Sequence, residues 1–266
     1  MKKKLLFTHG IDIDGYGCAI LAKMVWDKNV DIIFADNFDL DEKFVKVWGG
    51  KERNFDDYDE IFVTDHCIGL PLCNMVDKDK KLRAKIKVFD HHETRVGQQD
   101  RFPWVTLISE QNGIKECGAS LFCKHLINRG LLPSALSKES WVELTRQYDT
   151  WDWKRLGNQK ANQLNTLSLA VGREKYIENM LANHASLGDF DFTDEEKTII
   201  ATYEKAFDEQ LHKYGKQIQI IDFAGAKAGY VKIKDIYKND MASLVRESEM
   251  NGQISYLIMP IEERGT

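Results

Sequence analysis

The amino-acid sequence predicts an α/β fold: a doubly wound, mostly parallel sheet, followed by a helical extension and a small C-terminal α/β segment. Short apolar runs alternate with helical patterns up to about residue 115, and helical patterns dominate from Cys117 to about His212. Strand-like runs return after Gly215. Alternating strands and helices are typical of the crossover connections that join parallel strands. We therefore expect three segments, at residues 1–150, 151–215 and 216–266.

Five strands are predicted in the first segment. Each run is short and almost continuously apolar, as in a sheet that is covered on both faces. The runs lie at residues 5–8, 30–35, 61–64, 86–89 and 105–108. We expect a helix between the first two strands, from about residue 17 to residue 27.

The rest of the chain is predicted to be helical and then mixed. Helical patterns extend over residues 160–181 and 193–214, and the second begins at Thr193 with a signal of the capping-box type. Beyond Gly215 we expect three strands and one helix. The strands are predicted at residues 218–221, 228–233 and 254–259, and the helix at residues 240–250.

Composition and charge exclude several classes of protein. The 37 Lys and Arg residues against 42 Asp and Glu residues give a net charge of −5, which excludes a globally basic coat for nucleic acid but not a local basic patch. The five cysteines follow no zinc-ribbon spacing, and we expect them to be reduced and mostly buried. The N-terminal apolar run is too short for a signal peptide, and no run is long enough to span a membrane. We expect a cytoplasmic protein.

Acidic and histidine side chains come directly after three of the predicted strands, and one more group lies at the end of a helical pattern. The four clusters comprise His9, Asp12 and Asp14; Asp65 and His66; Asp90, His91, His92 and Glu93; and Asp149. The carboxyl ends of parallel strands converge on one crevice, which is the usual ligand site of such sheets. Carboxylates packed this closely repel one another unless cations neutralise them. The clusters therefore predict a metal site.

The donor types indicate which metals and which chemistry to expect. Imidazole together with carboxylate suits manganese, iron or zinc better than calcium, and several bridging carboxylates suggest two ions. Two ions about 3.5–4 Å apart form a clamp for in-line attack of water on a phosphoester. Three of the clusters taken alone also fit a turn or a helix cap, whereas adjacent histidines at a strand end, such as His91 and His92, are uncommon. The combination of the four clusters points to a metal.

The Asp90-His91-His92 string resembles the signature of the DHH phosphoesterase superfamily. The four clusters are similar to its four motifs, in the same order, over about residues 8–150. The strings at residues 12–18 and 146–153 resemble most the NrnB-like, RecJ-like oligoribonucleases of that superfamily. The resemblance implies a DHH catalytic domain at residues 1–150, a helical linker at 151–215 and a partial DHHA1-like segment at 216–266. The superfamily's Gly-Gly-Gly-His substrate loop has no counterpart in the sequence, and we expect metal chemistry to persist without it.

The resemblance also implies a role for each residue. His9, Asp12 and Asp65 would bind one Mn²⁺ ion, and a second ion would be bound by Asp14, Asp65, His91 and Asp149, with Asp65 bridging. Mg²⁺ or Co²⁺ are expected as substitutes for Mn²⁺. Asp90 would orient His91, and His92 would face the scissile phosphate. Catalysis is thus assigned to Asp65, Asp90 and His92.

The implied function is hydrolysis of short RNA to 5′-mononucleotides, by attack of a water activated between two metal ions. Hydrolysis of pAp or of a cyclic or linear dinucleotide is an alternative, and so is a nucleotide-binding module without turnover. Inorganic pyrophosphatase activity is disfavoured because residues 215–266 carry no Lys/Arg-rich motif. The expected partner is a short RNA or a small nucleotide rather than a membrane. A homodimer is a further possibility.

Further residues near the motifs have two interpretations. Trp151 and Trp153 could stack on bases, although packing of the helical segment against the sheet is the favoured interpretation. His66 could equally contact substrate or bond a backbone carbonyl. Four arginines are candidates for phosphate contacts, although any one of them is more often a surface residue. They are Arg95, Arg101, Arg146 and Arg173.

Overall fold

The computed structural model describes residues 3–50, 53–95, 97–133, 136–234, 237–247 and 252–261. The strands are β1 (Lys3–His9), β2 (Val30–Ala35), β3 (Tyr58–Thr64), β4 (Ile86–Asp90), β5 (Val105–Leu107), β6 (Glu110–Gln111), β7 (Ile114–Lys115), β8 (Gln219–Phe223), β9 (Ala226–Tyr230) and β10 (Tyr256–Ile258). The helices are α1 (Ile13–Trp26), α2 (Leu40–Trp48), α3 (Leu70–Lys78), α4 (Lys80–Arg83), α5 (Gln98–Arg101), α6 (Gly118–Asn128), α7 (Trp141–Asp149), α8 (Asp152–Leu156), α9 (Gln159–Val171), α10 (Arg173–Asn183), α11 (Asp194–Lys216) and α12 (Lys238–Glu247).

A parallel five-stranded sheet organises the first part of the chain. Its strand order is β2-β1-β3-β4-β5, and each neighbouring pair is parallel. In this order the chain changes direction across the sheet between β1 and β3, which creates a crevice at their carboxyl ends. The predicted α/β class and the mostly parallel sheet are confirmed, and all five predicted strands are present.

Apolar side chains cover both faces of the sheet, which explains why its strands lack a simple polar alternation. On one face, Phe7 packs in an aromatic group with Phe44 and Phe55. On the other face, Phe62 packs against Trp26 of α1 and Phe122 of α6. These two layers hold the carboxyl ends of β1, β3 and β4 in fixed positions.

Helix boundaries differ from the predictions at two places. Helix α1 begins at Ile13, because the Asp12 side chain accepts a hydrogen bond from the Gly15 N–H and caps the helix. The helix predicted at residues 160–181 is two helices, α9 and α10. Gly172 separates them with a φ of 80°, a conformation that glycine adopts without strain.

The chain divides into two compact units, residues 1–196 and 197–266. In the first unit, α7, α9 and α10 pack against α1 or against one another. The second unit contains the small sheet β10-β9-β8, whose apolar core includes Tyr214, Val231, Ile233 and Met241. The three segments and the partial DHHA1-like character of residues 216–266 stay predictions.

The start of α11 agrees with its sequence signal. The Thr193 hydroxyl accepts a hydrogen bond from the Glu196 N–H, and the Glu196 carboxylate accepts one from the Thr193 N–H. This reciprocal pair is the predicted capping box. The helix predicted at 240–250 is α12, and residues 248–250 lie outside the described residues.

All five cysteines are buried and lie outside disulfide bonds, as expected of reduced thiols. Within the described ranges, no helix is both long enough and apolar enough to cross a membrane.

Candidate metal centre

The predicted clusters meet at the carboxyl ends of β1, β3 and β4. His9 is the last residue of β1, Asp65 follows β3, and Asp90 ends β4. These strands are neighbours in the sheet, so their ends lie at one edge. The fourth cluster comes from the last turn of α7, where Asp149 is the final residue.

One group of possible ligands consists of His9, Asp12 and Asp65. Nδ1 of His9 lies 2.8 Å from Oδ2 of Asp12 and 3.6 Å from Oδ2 of Asp65. One ligand atom from each residue falls within 4.8 Å of the others. The three residues predicted for the first ion therefore lie together.

A second group surrounds His91. Its Nε2 lies 3.3 Å from Oδ1 of Asp65, 3.5 Å from Oδ2 of Asp149 and 3.7 Å from Oδ2 of Asp14. Asp14 is fully buried, and Asp65 is 2% exposed. The four residues predicted for the second ion thus lie together, and Asp65 directs one carboxylate oxygen toward each group.

Asp65 adopts an uncommon backbone conformation. Its φ is 55°, in the left-handed region that few residues other than glycine adopt, although Asp tolerates it better than most. The N-terminus of α6 packs directly against it: a Cβ added at Gly118 would lie 2.6 Å from the Asp65 Cβ and 2.8 Å from its backbone nitrogen. Gly118 is therefore needed for the close approach of this helix.

Helix α6 also holds Asp14. The two carboxylate oxygens of Asp14 accept hydrogen bonds from the N–H groups of Gly118 at 2.6 Å and Ala119 at 2.7 Å. The N-terminal N–H groups of a helix and its dipole stabilise a negative charge at this point. Asp14 is thereby fixed in orientation although it is buried among other acids.

His92 is oriented by Asp90. Its Nδ1 lies 2.7 Å from Oδ1 of Asp90, which also accepts a hydrogen bond from the His91 N–H at 2.9 Å. The Asp90 carboxylate raises the pKa of His92, and the hydrogen bonds from His92 and its charge lower the pKa of Asp90 against the opposing effect of burial. The His92 side chain is 43% exposed, which is more than any of the six predicted metal ligands.

Burial and crowding make these groups retain protons in the absence of a cation. Burial, reinforced by the charge of Asp65, raises the pKa of Asp14 to about 8, and burial together with the charge of Asp14 raises that of Asp149 to about 7. Burial opposes protonation of His91, but its contacts with Asp65, Asp14 and Asp149 prevail and raise its pKa to about 10. In the absence of a cation, protons on Asp14, Asp149 and His91 therefore reduce the repulsion between the clustered carboxylates.

The donor set fits divalent cations. Several buried ligand atoms have no hydrogen-bond partner in the described part of the chain: His9 Nε2, Asp65 Oδ2, His91 Nε2 and Asp149 Oδ2. Unpaired buried polar atoms are costly unless something binds them. Ligands held about 2.1 Å from one ion lie roughly 3–3.5 Å apart. The separations around His91 fall close to that range.

Comparisons with known proteins agree with these motifs. No family model matches the chain. The oligoribonuclease NrnB of Bacillus subtilis (strain 168) is 24% identical over 213 residues, which are 80% of this chain and 53% of NrnB. The chain therefore spans about half the length of this curated relative. A crystal structure of the exonuclease RecJ bound to manganese matches with a TM-score of 0.52 and 16% identity, over 97% of this chain and 76% of that one.

The chain is similar to NrnB in sequence over 80% of its own length, and its fold is similar to that of RecJ. Both similarities support the predicted resemblance to NrnB-like and RecJ-like nucleases. The assignment of individual residues to metal binding and catalysis stays a prediction.

Sequence reasoning missed the residues that support the candidate ligands. Gly118 and Ala119 hold Asp14 through backbone groups, and Gly15 is required because an added Cβ would lie 2.1 Å from the His9 carbonyl oxygen. Gly15 belongs to the first motif, so its place there was a signal in the sequence. Gly118, at the start of a helical pattern, gave only a weak signal, because its neighbour Asp65 is distant in sequence.

Two further candidates from the sequence, Arg146 and His66, are held by contacts within the protein. Arg146 is nearly buried and pairs with Glu143 and Asp152, so it anchors α7 and α8 and does not reach toward solvent. His66 bonds the backbone of Ala35, and burial lowers its pKa to about 4. Contact of His66 with substrate stays a prediction.

Of the other predicted arginines, Arg101 is exposed and Arg173 is partly buried, and the side chain of Arg95 lies outside the described residues. The Arg173 guanidinium donates to the Gly10 carbonyl and lies 4.3 Å from the Phe34 ring centroid. It therefore stands beside the loop that follows β1. Arg101 bonds Asn74 instead.

Proposed function

We propose that this protein is a metal-dependent phosphodiesterase that hydrolyses short RNA oligonucleotides to 5′-mononucleotides. The observation that carries the proposal is the position of Asp65, whose two carboxylate oxygens face two separate groups of ligands. Such an arrangement suits a pair of divalent ions. The similarity to an oligoribonuclease adds the substrate class.

The two groups define which residues would hold the ions. His9, Asp12 and Asp65 would hold one, and Asp14, Asp65, His91 and Asp149 the other. Mn²⁺ is the ion that we propose first, because imidazole and carboxylate donors suit it and a structure of similar fold binds manganese. When bound, a pair of such ions activates water and neutralises the charge of a phosphodiester.

His92 is proposed to serve the leaving group. Asp90 accepts the hydrogen of Nδ1 and so keeps the imidazole in a defined orientation. Asp90 also raises the pKa of His92 above its usual value, which favours the protonated form of the ring. A protonated, partly exposed imidazole can donate that proton to the departing ribose oxygen as a general acid.

The residues beneath the ligands keep the site rigid. The N-terminus of α6 binds both oxygens of Asp14, so this carboxylate cannot rotate away when its neighbours change charge. The Thr8 hydroxyl donates to the Gly15 carbonyl and ties the end of β1 to the start of α1. Ligands that are positioned in advance lose little entropy on binding.

A Mn²⁺-dependent assay tests the proposal. Wild type and His91→Ala are compared on 5′-labelled RNA of two to five nucleotides, on pAp and on a cyclic dinucleotide, with His212→Ala, an exposed helical histidine, as the matched control. Trimming of the RNAs that is retained in His212→Ala and lost in His91→Ala supports the proposal. Turnover of pAp or the cyclic dinucleotide alone would identify that nucleotide, and not short RNA, as the substrate. Two bound ions without turnover would favour a nucleotide-binding module.

A further inference from the structure

Trp151 is exposed although it is large and apolar. It follows Asp149 by two residues, and 53% of its surface is accessible. Trp153, two residues further, lies partly buried with its ring stacked on Tyr148 at 6.4 Å. The two tryptophans therefore have different roles. Trp153 packs on Tyr148 of α7, whereas Trp151 leaves about half of its surface exposed. Packing of the helical segment against the sheet by this pair stays a prediction.

The backbone of Trp151 is strained. Its φ is 64°, in the left-handed region, which is unusual for a bulky side chain. The residue is the N-cap of α8 but provides no side-chain cap. Asparagine or glycine would adopt this conformation at lower cost and would cap the helix better. Neither packing nor helix capping explains a tryptophan here.

The ring is held in place by its surroundings. Helix α8 is anchored to α7, because Asp152 pairs with the nearly buried Arg146 at 2.9 Å. The Lys154 ammonium lies 4.4 Å from the centroid of the Trp151 ring. An exposed indole next to a cation, immediately after a proposed metal ligand, matches the chemistry of a nucleotide: an aromatic base joined to a phosphate.

We propose that Trp151 and Lys154 form a nucleobase subsite, in which the exposed indole stacks on a base of the RNA and the ammonium contacts an adjoining phosphate. The inference rests on the proposed function and adds the element that recognises the substrate. Stacking of this kind tolerates any base, because every base has a π face. The subsite therefore favours oligonucleotides over small phosphoesters without selecting a sequence.

The test compares three variants on two ligands. Trp151→Asn removes the ring but tolerates the left-handed backbone, Trp151→Phe retains a ring, and Leu156→Ala removes exposed apolar surface from the same helix as a control. The ligands are an adenylate trinucleotide and the same trimer with abasic riboses. KM and kcat are measured with Mn²⁺, and the abasic trimer reports the chemistry without a base.

We expect Trp151→Asn to raise KM for the adenylate trimer by about 5- to 150-fold, which corresponds to 1–3 kcal/mol at 1.4 kcal/mol per tenfold. Trp151→Asn should keep the wild-type kcat on the abasic trimer, whereas on the adenylate trimer Trp151→Phe should lose less than Trp151→Asn and Leu156→Ala nothing. The abasic trimer should bind wild type and Trp151→Asn equally, because the Trp151 ring contributes to binding only when a base stacks on it. The melting temperature of Trp151→Asn should equal or exceed that of wild type.

Equal KM values for wild type and Trp151→Asn on the adenylate trimer would overturn the subsite. So would an equal loss on the abasic trimer, since the ring would then only position Asp149. If wild type hydrolyses no RNA, the proposed function fails separately. The subsite is then judged by binding of the fluorescently labelled, uncleaved trimer to wild type and to Trp151→Asn in Mn²⁺.

Discussion

Asp65 combines three unusual properties in one residue: near-complete burial, a left-handed backbone and a position between two groups of ligands. Asp65→Asn keeps the shape and the tolerance of that backbone but removes the charge. We expect this variant to lose roughly a thousandfold in hydrolysis, about 4 kcal/mol of transition-state stabilisation, because both ligand groups lose a charged member. The melting temperature without metal should change little, because Asp14 loses a repulsive charge while His9 and His91 lose an attractive one.

Asp59→Asn is the control for this substitution. Asp59 contributes to a surface ion pair with Lys4, which is worth little to stability. The Asp59→Asn variant should hydrolyse RNA at the wild-type rate. Near-normal hydrolysis by Asp65→Asn would contradict the role of Asp65, and so would a large loss in both variants.

The proposed role of His92 depends on the leaving group. His92→Gln should lower kcat on short RNA by about 10²–10⁴-fold, because a ribose alkoxide needs a proton. The loss on bis-p-nitrophenyl phosphate should be much smaller, since nitrophenolate leaves without protonation. Steady-state kinetics on both substrates measure the difference. Equal losses on the two would indicate that His92 binds metal instead, a use that its proximity to Asp65 and His91 would permit.

At the scale of elements, the N-terminus of α6 supports the whole centre. Gly118→Ala would place a Cβ 2.6–2.8 Å from Asp65, including its backbone nitrogen, so the helix must move. We expect a loss of about 1–3 kcal/mol in the free energy of unfolding. Mn²⁺ affinity should fall by roughly tenfold or more, because Asp14 loses its support. Thermal melts and Mn²⁺ titrations measure the two effects.

Gly188→Ala is the matched control, because Gly188 is exposed and its added Cβ would meet only the flexible Ser186 side chain, at 3.3 Å. It should change neither property by a measurable amount. A Gly118→Ala protein with unaltered stability and affinity would show that α6 does not position Asp14.

The sequence predicted those features that depend on residues adjacent in the chain, and it did not predict those that depend on contacts between distant segments. The ends of β1, β3 and β4 were found because apolar runs and the residues after them are adjacent in sequence, and parallel strands share an edge. The contact between Gly118 and Asp65 was not found, because it joins distant segments through backbone atoms. The break at Gly172 was missed because a single glycine is tolerated inside a helical pattern. The exposure of Trp151 depends on how α8 leaves α7, which periodicity does not describe.

For the molecule as a whole, the protonation of the centre links stability to pH. The folded pKa values of Asp14 and Asp149, about 8 and 7, exceed the unfolded value near 3.8, so the folded protein keeps protons that the unfolded chain releases. This contribution is fully present below about pH 4 and is lost as pH rises through 7–8. His9 and His91, with pKa values of about 10 against 6.5, add a loss over higher pH.

We therefore expect the metal-free protein to lose thermal stability between pH 6 and pH 9, and a bound cation to replace the lost protons. Excess Mn²⁺ should raise the melting temperature by roughly 5 °C or more at pH 8.5 and by clearly less at pH 6. Thermal melts with and without Mn²⁺ at both pH values measure this. The same Mn²⁺ shift at both pH values would contradict the link between protons and cations.

The number of Mn²⁺ ions bound per chain tests the central claim most directly, that Asp65 joins two cation sites. Free Mn²⁺ is followed by its electron paramagnetic resonance signal during titration of wild type and Asp65→Asn at pH 8. We predict two ions per wild-type chain and a marked weakening of both in Asp65→Asn. Binding of one ion or none to wild type, or two ions of undiminished affinity in Asp65→Asn, would contradict the shared centre.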